Sequence, residues 1–410
     1  MFDLTTEDKL FNEFVPKGVT AEIKARSKMF DRVKKDYSKV ELGGKYAKIR
    51  LLMAGSQATG ASSTSSYPTP QESTPGEAFI YIKRAQMFSM KFDGLALESA
   101  KKGGAAMDAF DFEQEGLFIQ VAEDLSRQLL LDGSGHICQI NDADPDDGDK
   151  TVTVDSPFYA KATIFVKAGR VLVLDAAGAA DELTVDEVTD TTIKFLTEPD
   201  AGVANNEWIH GWNTYTAAEA AGKGEMMGLE GIISYADPPV PNDGGLQGLP
   251  VATYPEWKAG YVNNVAGDLT ETEMTKVLDE LSLYAMPTVI LTNHGVRRFY
   301  ADLLTSYKGI YNQKVLWGGW AGLPFVYDGK ELPVVADRFV PDGTMYFLSE
   351  KHLTLYHTTP NIIKFEQGDS GKYLQKVAQK NEYVAEGHFF GNLGTDLRKA
   401  FGKLYGLNEK

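Results

Sequence analysis

Cysteine is almost missing from this 410-residue chain, with Cys138 the only one. An internal disulfide and a cysteine-based metal site are thereby excluded, and the lone thiol is expected to be a small buried hydrophobe. Histidine is scarce as well. His136, His210, His294, His352, His357 and His388 are scattered, no two of them spaced as His-x-x-x-His, and nothing indicates a zinc site. No apolar run reaches membrane-spanning length. The start, Met1-Phe2-Asp3-Leu4, has neither a basic segment nor an apolar stretch and does not read as a secretory signal. A soluble chain made in a cytoplasm, with no membrane partner, is expected. Positive charge is the minority: 41 Lys and Arg stand against 57 Asp and Glu, a net of −16. That excludes a dedicated nucleic-acid binder, which needs basic surface to release counterions from phosphate. It leaves room for a wall that lies near DNA and touches it weakly.

Catalytic patterns are missing too. There is no Gly-x-x-x-x-Gly-Lys-Ser/Thr loop, and Gly133-Ser134-Gly135 lacks the spacing of a nucleophile elbow. The run Asp142-x-Asp144-x-Asp146-Asp147-Gly148 resembles the start of a calcium loop. Its glycine comes one place late, Pro145 interrupts it, and Thr153 stands where the closing Glu is needed, so it reads as an acidic hairpin tip. No enzyme activity, cofactor or metal is expected.

What the chain does have is enough apolar content, 43%, for a core spread over two or three units. Glu7–Phe14 is predicted as a short helix with Leu10, Phe11 and Phe14 on one side, broken by Pro16-Lys17-Gly18. Ala21–Tyr37 is a charged second segment anchored by Ile23, Met29, Phe30 and Val33. It is either a surface helix of its own domain or an arm for a neighbouring subunit. Tyr46–Met53 and Phe79–Phe92 read as strands. The small, polar Ala54–Ala78 between them is either a disordered loop or a projecting tip that orders on a partner. Met107–Leu131 is the strongest helix, with Met107, Phe110, Leu117, Phe118, Val121, Leu125 and Leu129 inward and Asp111, Glu113, Glu115, Glu123 and Asp124 on the wet side.

From residue 136 to 212 the pattern changes to short strands, expected at 136–140, 151–154, 162–167, 170–174, 183–188, 192–196 and 207–212. A small inserted barrel or sandwich is implied. Residues 213–265 read mostly as loop. An α/β section follows, with a Thr270–Glu273 capping box, an inner face of Met274, Val277, Leu278 and Leu281, a strand at 287–292, and a helix at 296–304 with Asn293 as its cap. Strands are expected at 323–327, 333–336, 344–348, 351–356, 362–365 and 383–390, before a short closing segment.

In this order of parts, and in three local stretches, the chain resembles the Hong Kong ninety-seven-type major capsid proteins of tailed phages. The stretches are Glu225-Met226-Met227-Gly228-Leu229-Glu230-Gly231-Ile232-Ile233, Pro333 through Leu348, and Phe389-Phe390-Gly391-Asn392-Leu393-Gly394-Thr395-Asp396-Leu397. The resemblance spans nearly the whole chain and implies an α+β fold. Its parts would be an N-terminal arm (1–45), an extended hairpin loop (46–97), a peripheral domain with a spine helix (98–135), an inserted β-barrel (136–212), an axial domain (213–360) and a return to the peripheral domain (361–410). It implies a non-enzymatic head protein that self-assembles into hexamers and pentamers of an icosahedral shell around double-stranded DNA. The location would be the virion, after assembly in the host cytoplasm.

The implied partners are other copies of the chain, a scaffolding protein during assembly, a portal protein, room for a decoration protein, and packaged DNA by weak non-specific proximity. Because the arm begins at Met1, the scaffold is expected to be a separate protein. The tip 54–78 holds no lysine, which speaks against autocatalytic crosslinking there. Leu10, Phe11, Phe14, Tyr67, Phe79, Tyr81 and Met87 are the candidate inter-subunit contacts. The alternatives are an encapsulin-like compartment, a β-rich hydrolase or carbohydrate-binding protein, and a tail-tube or adaptor protein.

Overall fold

The computed structural model describes residues 15–40, 46–54, 74–93, 105–142, 145, 149–175, 181–200, 202–211, 225–238, 245–304, 323–360, 362–367, 373, 375–377 and 379–410. The expected helix at 7–14, Gly43-Gly44, most of the loop 54–78 and most of the acidic run 142–148 lie outside them.

Helix α1 (Val15–Arg26) has Pro16 in its first turn, where a missing N–H costs nothing. The single segment expected over 21–37 is divided. Ser27 accepts a hydrogen bond from Phe30 N and caps a new turn, α2 (Lys28–Arg32), after which the chain extends as β1 (Lys34–Asp36). All four anchors, Ile23, Met29, Phe30 and Val33, are buried against the chain's own body.

The aromatic run expected as one strand over 79–92 is two. β2 (Tyr46–Ala54) and β3 (Thr74–Tyr81) form a two-stranded antiparallel sheet of their own. At Ile82 the chain leaves that sheet, and β4 (Lys83–Asp93) pairs instead with the long β19 (Glu382–Thr395). The other edge of β19 carries, in turn, β16 (Leu353–His357), β17 (Lys364–Phe365) and β18 (Gln375–Lys376), and β1 adds in parallel outside β16.

Helix α3 (Ala105–Leu130) lies along β4. Its one-sided reading fails in the last turns, where Ser126, Arg127, Gln128 and Leu130 are buried along with Leu125 and Leu129. Several elements converge there and leave no wet face.

The insert is a closed antiparallel barrel of β5 (His136–Ile140), β6 (Thr151–Asp155), β7 (Val171–Leu174), β8 (Asp181–Val188), β9 (Thr192–Phe195) and β10 (Trp208–Gly211), in the order β10-β5-β6-β9-β8-β7. Closure pairs both edges of every strand. The stretch expected as a strand at 162–167 is a pair of tight turns, Ile164 N to Lys161 O and Val166 N to Thr163 O. Its alternation was misleading because Ala162, Phe165 and Val166 are buried by the turns.

The loop-like stretch 213–265 contains the turn α4 (Leu229–Ile232) and the edge strand β11 (Tyr261–Gly267). β11 opens a second six-stranded sheet, ordered β11-β20-β15-β12-β14-β13, from β12 (Val289–Thr292), β13 (Leu323–Tyr327), β14 (Lys330–Ala336), β15 (Met345–Leu348) and β20 (Gly402–Leu407). β20, read from sequence only as part of a closing segment, is an interior strand of this sheet. Helices α5 (Glu271–Ser282) and α6 (His294–Leu303) cover one face, packing Met274, Val277, Leu278, Leu281, Val296 and Tyr300 on Ile290, Val334, Phe347 and Leu404. Both expected caps form, Thr270 accepting from Glu273 N and Asn293 from Val296 N. The alternate residues Val289, Leu291, Val335, Tyr346 and Leu348 face the main core and the docked arm, as the two-residue period of a strand requires.

Candidate assembly surfaces and the junction beneath them

Two carboxylates on α3 join three parts of the molecule. Glu123 accepts from Arg26 of the arm at 3.4 Å and from Lys167 of the barrel at 2.5 Å. Asp124 accepts from Arg170 of the barrel at 3.2 Å and from Gln86 of β4 at 3.4 Å. The sequence put both residues on the wet side. They are only 14% and 17% exposed, because four basic or amide partners converge on them from elements distant in sequence.

One turn further on, Arg127 forms a buried ion pair with Glu225. Burial alone would lower the Arg127 pKa; the charge and hydrogen bond of Glu225, with the charge of Asp124, together more than reverse that. Arg127 Nε and Nη1 and Glu225 Oε2 have no hydrogen-bond partner among the described residues. Gly228 sits where any Cβ would collide with the carbonyl oxygens of Gln128 and Leu131, so the stretch Glu225–Ile233 makes a close backbone crossing over the end of α3.

The arm is held by Asp337. Its Oδ2 accepts from Lys28 N (2.9 Å) and Met29 N (3.4 Å), and its Oδ1 from Phe339 N (3.0 Å). Burial raises the Asp337 pKa despite these three donors. Arg32 Nε reaches Glu350 at 2.6 Å.

The root of the hairpin meets β19 at two points, and Gln247 braces β19 beside them. Asn392 Nδ2 donates to Tyr81 O (2.9 Å) and its Oδ1 accepts from Met227 N (2.7 Å). A Cβ on Gly394 would collide with Ile80. Gln247, held at φ 59° without being glycine, uses its amide like a strand: Nε2 donates to Thr395 O and Oε1 accepts from Thr395 N, both at 2.9 Å. Such a conformation persists only where the surroundings over-determine it.

Of the candidate contact residues, Leu10, Phe11, Phe14 and Tyr67 lie outside the described residues. Phe79 and Tyr81 come together with Tyr46 on the outer face of the hairpin, at ring-centroid distances of 5.4 and 6.1 Å from it, while Ala47, Ile49, Ala78 and Ile80 of the opposite face are buried. Met87, on β4, is 64% exposed. Sequence reasoning missed Arg398, whose guanidinium is fully buried. It donates to the carbonyls of Ile232 (2.8 Å), Trp257 (2.8 Å), Ala236 (2.8 Å) and Gly231 (3.4 Å). Burial lowers its pKa to about 10. Nothing in its local sequence sets it apart from a surface arginine.

Cys138 is buried in the barrel, and burial pushes its thiol pKa well up, which keeps it unreactive. Among the described residues no group of three or more His, Cys, Asp or Glu side chains is placed to hold a metal ion. No helix among them is long and apolar enough to cross a membrane.

No family model matches the chain, and no curated protein matches it. Among solved structures it is similar to the capsid asymmetric unit of cyanophage A-1(L), at 13% identity and a TM-score of 0.47, with 93% of each chain covered. It is also similar to the capsid of the Myoviridae phage XM1, at 8% identity and a TM-score of 0.42, covering 92% of this chain and 90% of that one. The holo-SrpI encapsulin complex from Synechococcus elongatus PCC 7942 matches over 36% of this chain and 52% of its own, at 13% identity and a TM-score of 0.27.

Proposed function

We propose that this chain is a major capsid protein of a tailed phage, a shell subunit with no catalytic role. The observation that carries the reading is the hairpin. β2 and β3 form a sheet of only two strands outside both larger sheets, with one face, of Ala47, Ile49, Ala78 and Ile80, buried and the other, of Tyr46, Phe79 and Tyr81, left half-buried, Phe79 and Tyr81 beside 245–248 and Asn392. A two-stranded sheet is marginal alone in water. Such a face is suited to burial against another copy, where repeated heterologous contacts close into rings and then a shell.

In this reading residues 1–45 are the arm, 46–97 the extended loop, 98–135 and 361–410 the peripheral region, 136–212 the inserted barrel and 213–360 the axial region, with β20 laid into the axial sheet. Phe79, Tyr81 and Met87, with Leu10, Phe11, Phe14 and Tyr67, are the proposed inter-subunit contacts. Scaffolding, portal and decoration proteins are the proposed further partners. The proposed site of assembly is the host cytoplasm and the final location the virion.

Negative-stain electron microscopy of the chain expressed with and without its neighbouring scaffold gene tests this. Closed polyhedral shells, or hexameric rings that become shells with scaffold, are expected. Foreign protein packed inside scaffold-free shells would favour a cargo compartment, and tubes would favour a tail component. A discrete monomer or dimer under every condition would remove the assembly reading.

A further inference from the structure

The barrel closes where its first strand meets its last. β5 and β10 pair antiparallel there, and His136 stands opposite His210. The two imidazoles meet edge to face, with ring centroids 5.0 Å apart. His210 is only 1% exposed, and His136 is half-buried, stacked flat on Trp208 at 3.9 Å. The ladder shifts register between Ile209 and His210, beside the pair, so strand pairing is irregular at this point. The link from α3 into β5 passes through Gly133 and Gly135, both in the left-handed region at φ 81° and 80°.

The charges around the pair provide for one proton and not for two. Asp175 Oδ2 lies 4.0 Å from His210 Nε2, and the indole face of Trp208 is a second place where a cation is favoured. Asp132, the other nearby carboxylate, already accepts from Ser134 N at 3.0 Å and from Ser134 Oγ at 2.5 Å. From α3 the pair faces Arg127, whose counter-charge Glu225 is bound to Arg127 itself. A second imidazolium would sit 5.0 Å from the first, with a buried guanidinium near both. Burial, and then the charge of His210, hold the His136 pKa down at about 4.

We propose that the His136–His210 pair makes the β5–β10 seam an acid-opened joint. One proton on the pair leaves the seam closed. Entry of the second parts the two strands at the base of the barrel, while β6, β9, β8 and β7 keep their pairing with one another. Those four strands contain no histidine. The turns at 156–170 stay fastened to the body, through Tyr159 to Phe339 O, Lys167 to Glu123 and Arg170 to Asp124. The open seam binds one more proton than the closed one between the ordinary histidine pKa of 6.5 and about 4, so falling pH favours opening. Opening bares the edges of β5 and β10, and an unpaired strand edge is a template for pairing with another chain.

The joint belongs to the barrel and its base, and it is tested apart from shell assembly. Hydrogen exchange of the purified full chain is read by mass spectrometry at pH 7.5 and pH 4.5 and corrected for the intrinsic rate. Peptides covering 136–140 and 208–211 should lose protection by roughly 70-fold, since the opening constant rises nearly tenfold for each pH unit over which the open form holds the extra proton. Peptides covering 181–188 and 192–195, on the far side of the barrel, should keep theirs. His136→Phe and His210→Phe each leave a single imidazole at the seam, and in both variants most of the acid-induced loss should disappear.

Seam peptides as well protected at pH 4.5 as at pH 7.5 would overturn the proposal. So would an equal loss in 181–188 and 192–195, since the barrel would then unfold as one unit. An undiminished acid-induced loss in either variant that folds at pH 7.5 would overturn it too. The comparison of seam with far side in the parent decides the matter even where a substitution prevents folding. Electron microscopy keeps the two readings apart: shells that form from a chain whose seam ignores acid would remove this inference and leave the proposed function standing.

Discussion

At the scale of single residues, the buried pair Arg127–Glu225 is the group most sensitive to change. Glu225→Gln leaves a guanidinium buried without its counter-charge and should destabilise the chain by about 3–5 kcal/mol. The double variant R127M/E225L, which removes both charges and keeps apolar volume, should recover most of that loss. Urea midpoints of parent, both single variants and the double variant measure it, and additive losses would show that the two side chains do not act as a pair.

His136 offers a second residue-level test. It stacks on Trp208 at 3.9 Å and faces its cross-strand partner His210, ring centroids 5.0 Å apart, at the seam where β10 meets β5. Asp132, Asp175 and Arg127 are the other charges nearby. Burial, and then the charge of His210, lower the His136 pKa to about 4 from an ordinary 6.5. The folded state therefore binds fewer protons than the unfolded chain between those values. Stability from this site is complete above pH 6.5 and is lost as pH falls through that window, by roughly 2 kcal/mol between pH 7.5 and pH 5. His136→Phe should flatten the urea midpoint against pH by that amount. An unchanged profile would mean that folding does not lower the His136 pKa.

At the scale of elements, Glu123 and Asp124 make α3 the piece through which arm, barrel and β4 are held in register. Each ion pair is partly exposed and worth on the order of 1 kcal/mol or less, so the junction is a means of coupling more than of stability. Glu123→Gln should leave global unfolding nearly unchanged while hydrogen exchange quickens together in α2, which follows Arg26, and in the 161–170 turns, which hold Lys167. Faster exchange in only one of the two would show that they are held independently.

At the scale of the whole molecule, the barrel is the part most able to stand alone. Its first and last strands are hydrogen-bonded neighbours, Trp208 opposite Gln139, so its two ends leave the body side by side. Cys138, Ile140, Val152, Leu174, Val185, Ile193 and Phe195 are buried within it. A fragment spanning 133–212 should fold as a soluble β unit with a cooperative thermal transition. Its melting point should lie below that of the full chain, because Tyr159 and Phe165 lose Phe339, whose carbonyl accepts from the Tyr159 hydroxyl at 2.8 Å. A fragment without a transition would show that the barrel depends on the body.

Periodicity by itself determined the elements: the capped helices after Thr270 and Asn293, the long helix before residue 131, six of the seven short strands of the barrel, and the apolar anchors Ile23, Met29, Phe30 and Val33. These are local signals, a polar cap or an apolar residue every two or every 3.6 positions, and they survive whatever the rest of the chain does. The resemblance in the order of parts also lay in the sequence. Only the tertiary structure decided which side chains share a site. Glu123 looks like any wet-face glutamate, Arg398 like any surface arginine, and Gln247 like any loop residue, until Arg26, Lys167, four backbone carbonyls and Thr395 arrive from far along the chain. The break at Ile82 is of the same kind, since β3 and β4 are equally good strands and their different partners, β2 and β19, decide where one ends. β20 joins its sheet for that reason too: a six-residue segment commits to a strand when two neighbouring edges, those of β11 and β15, are already there to receive it.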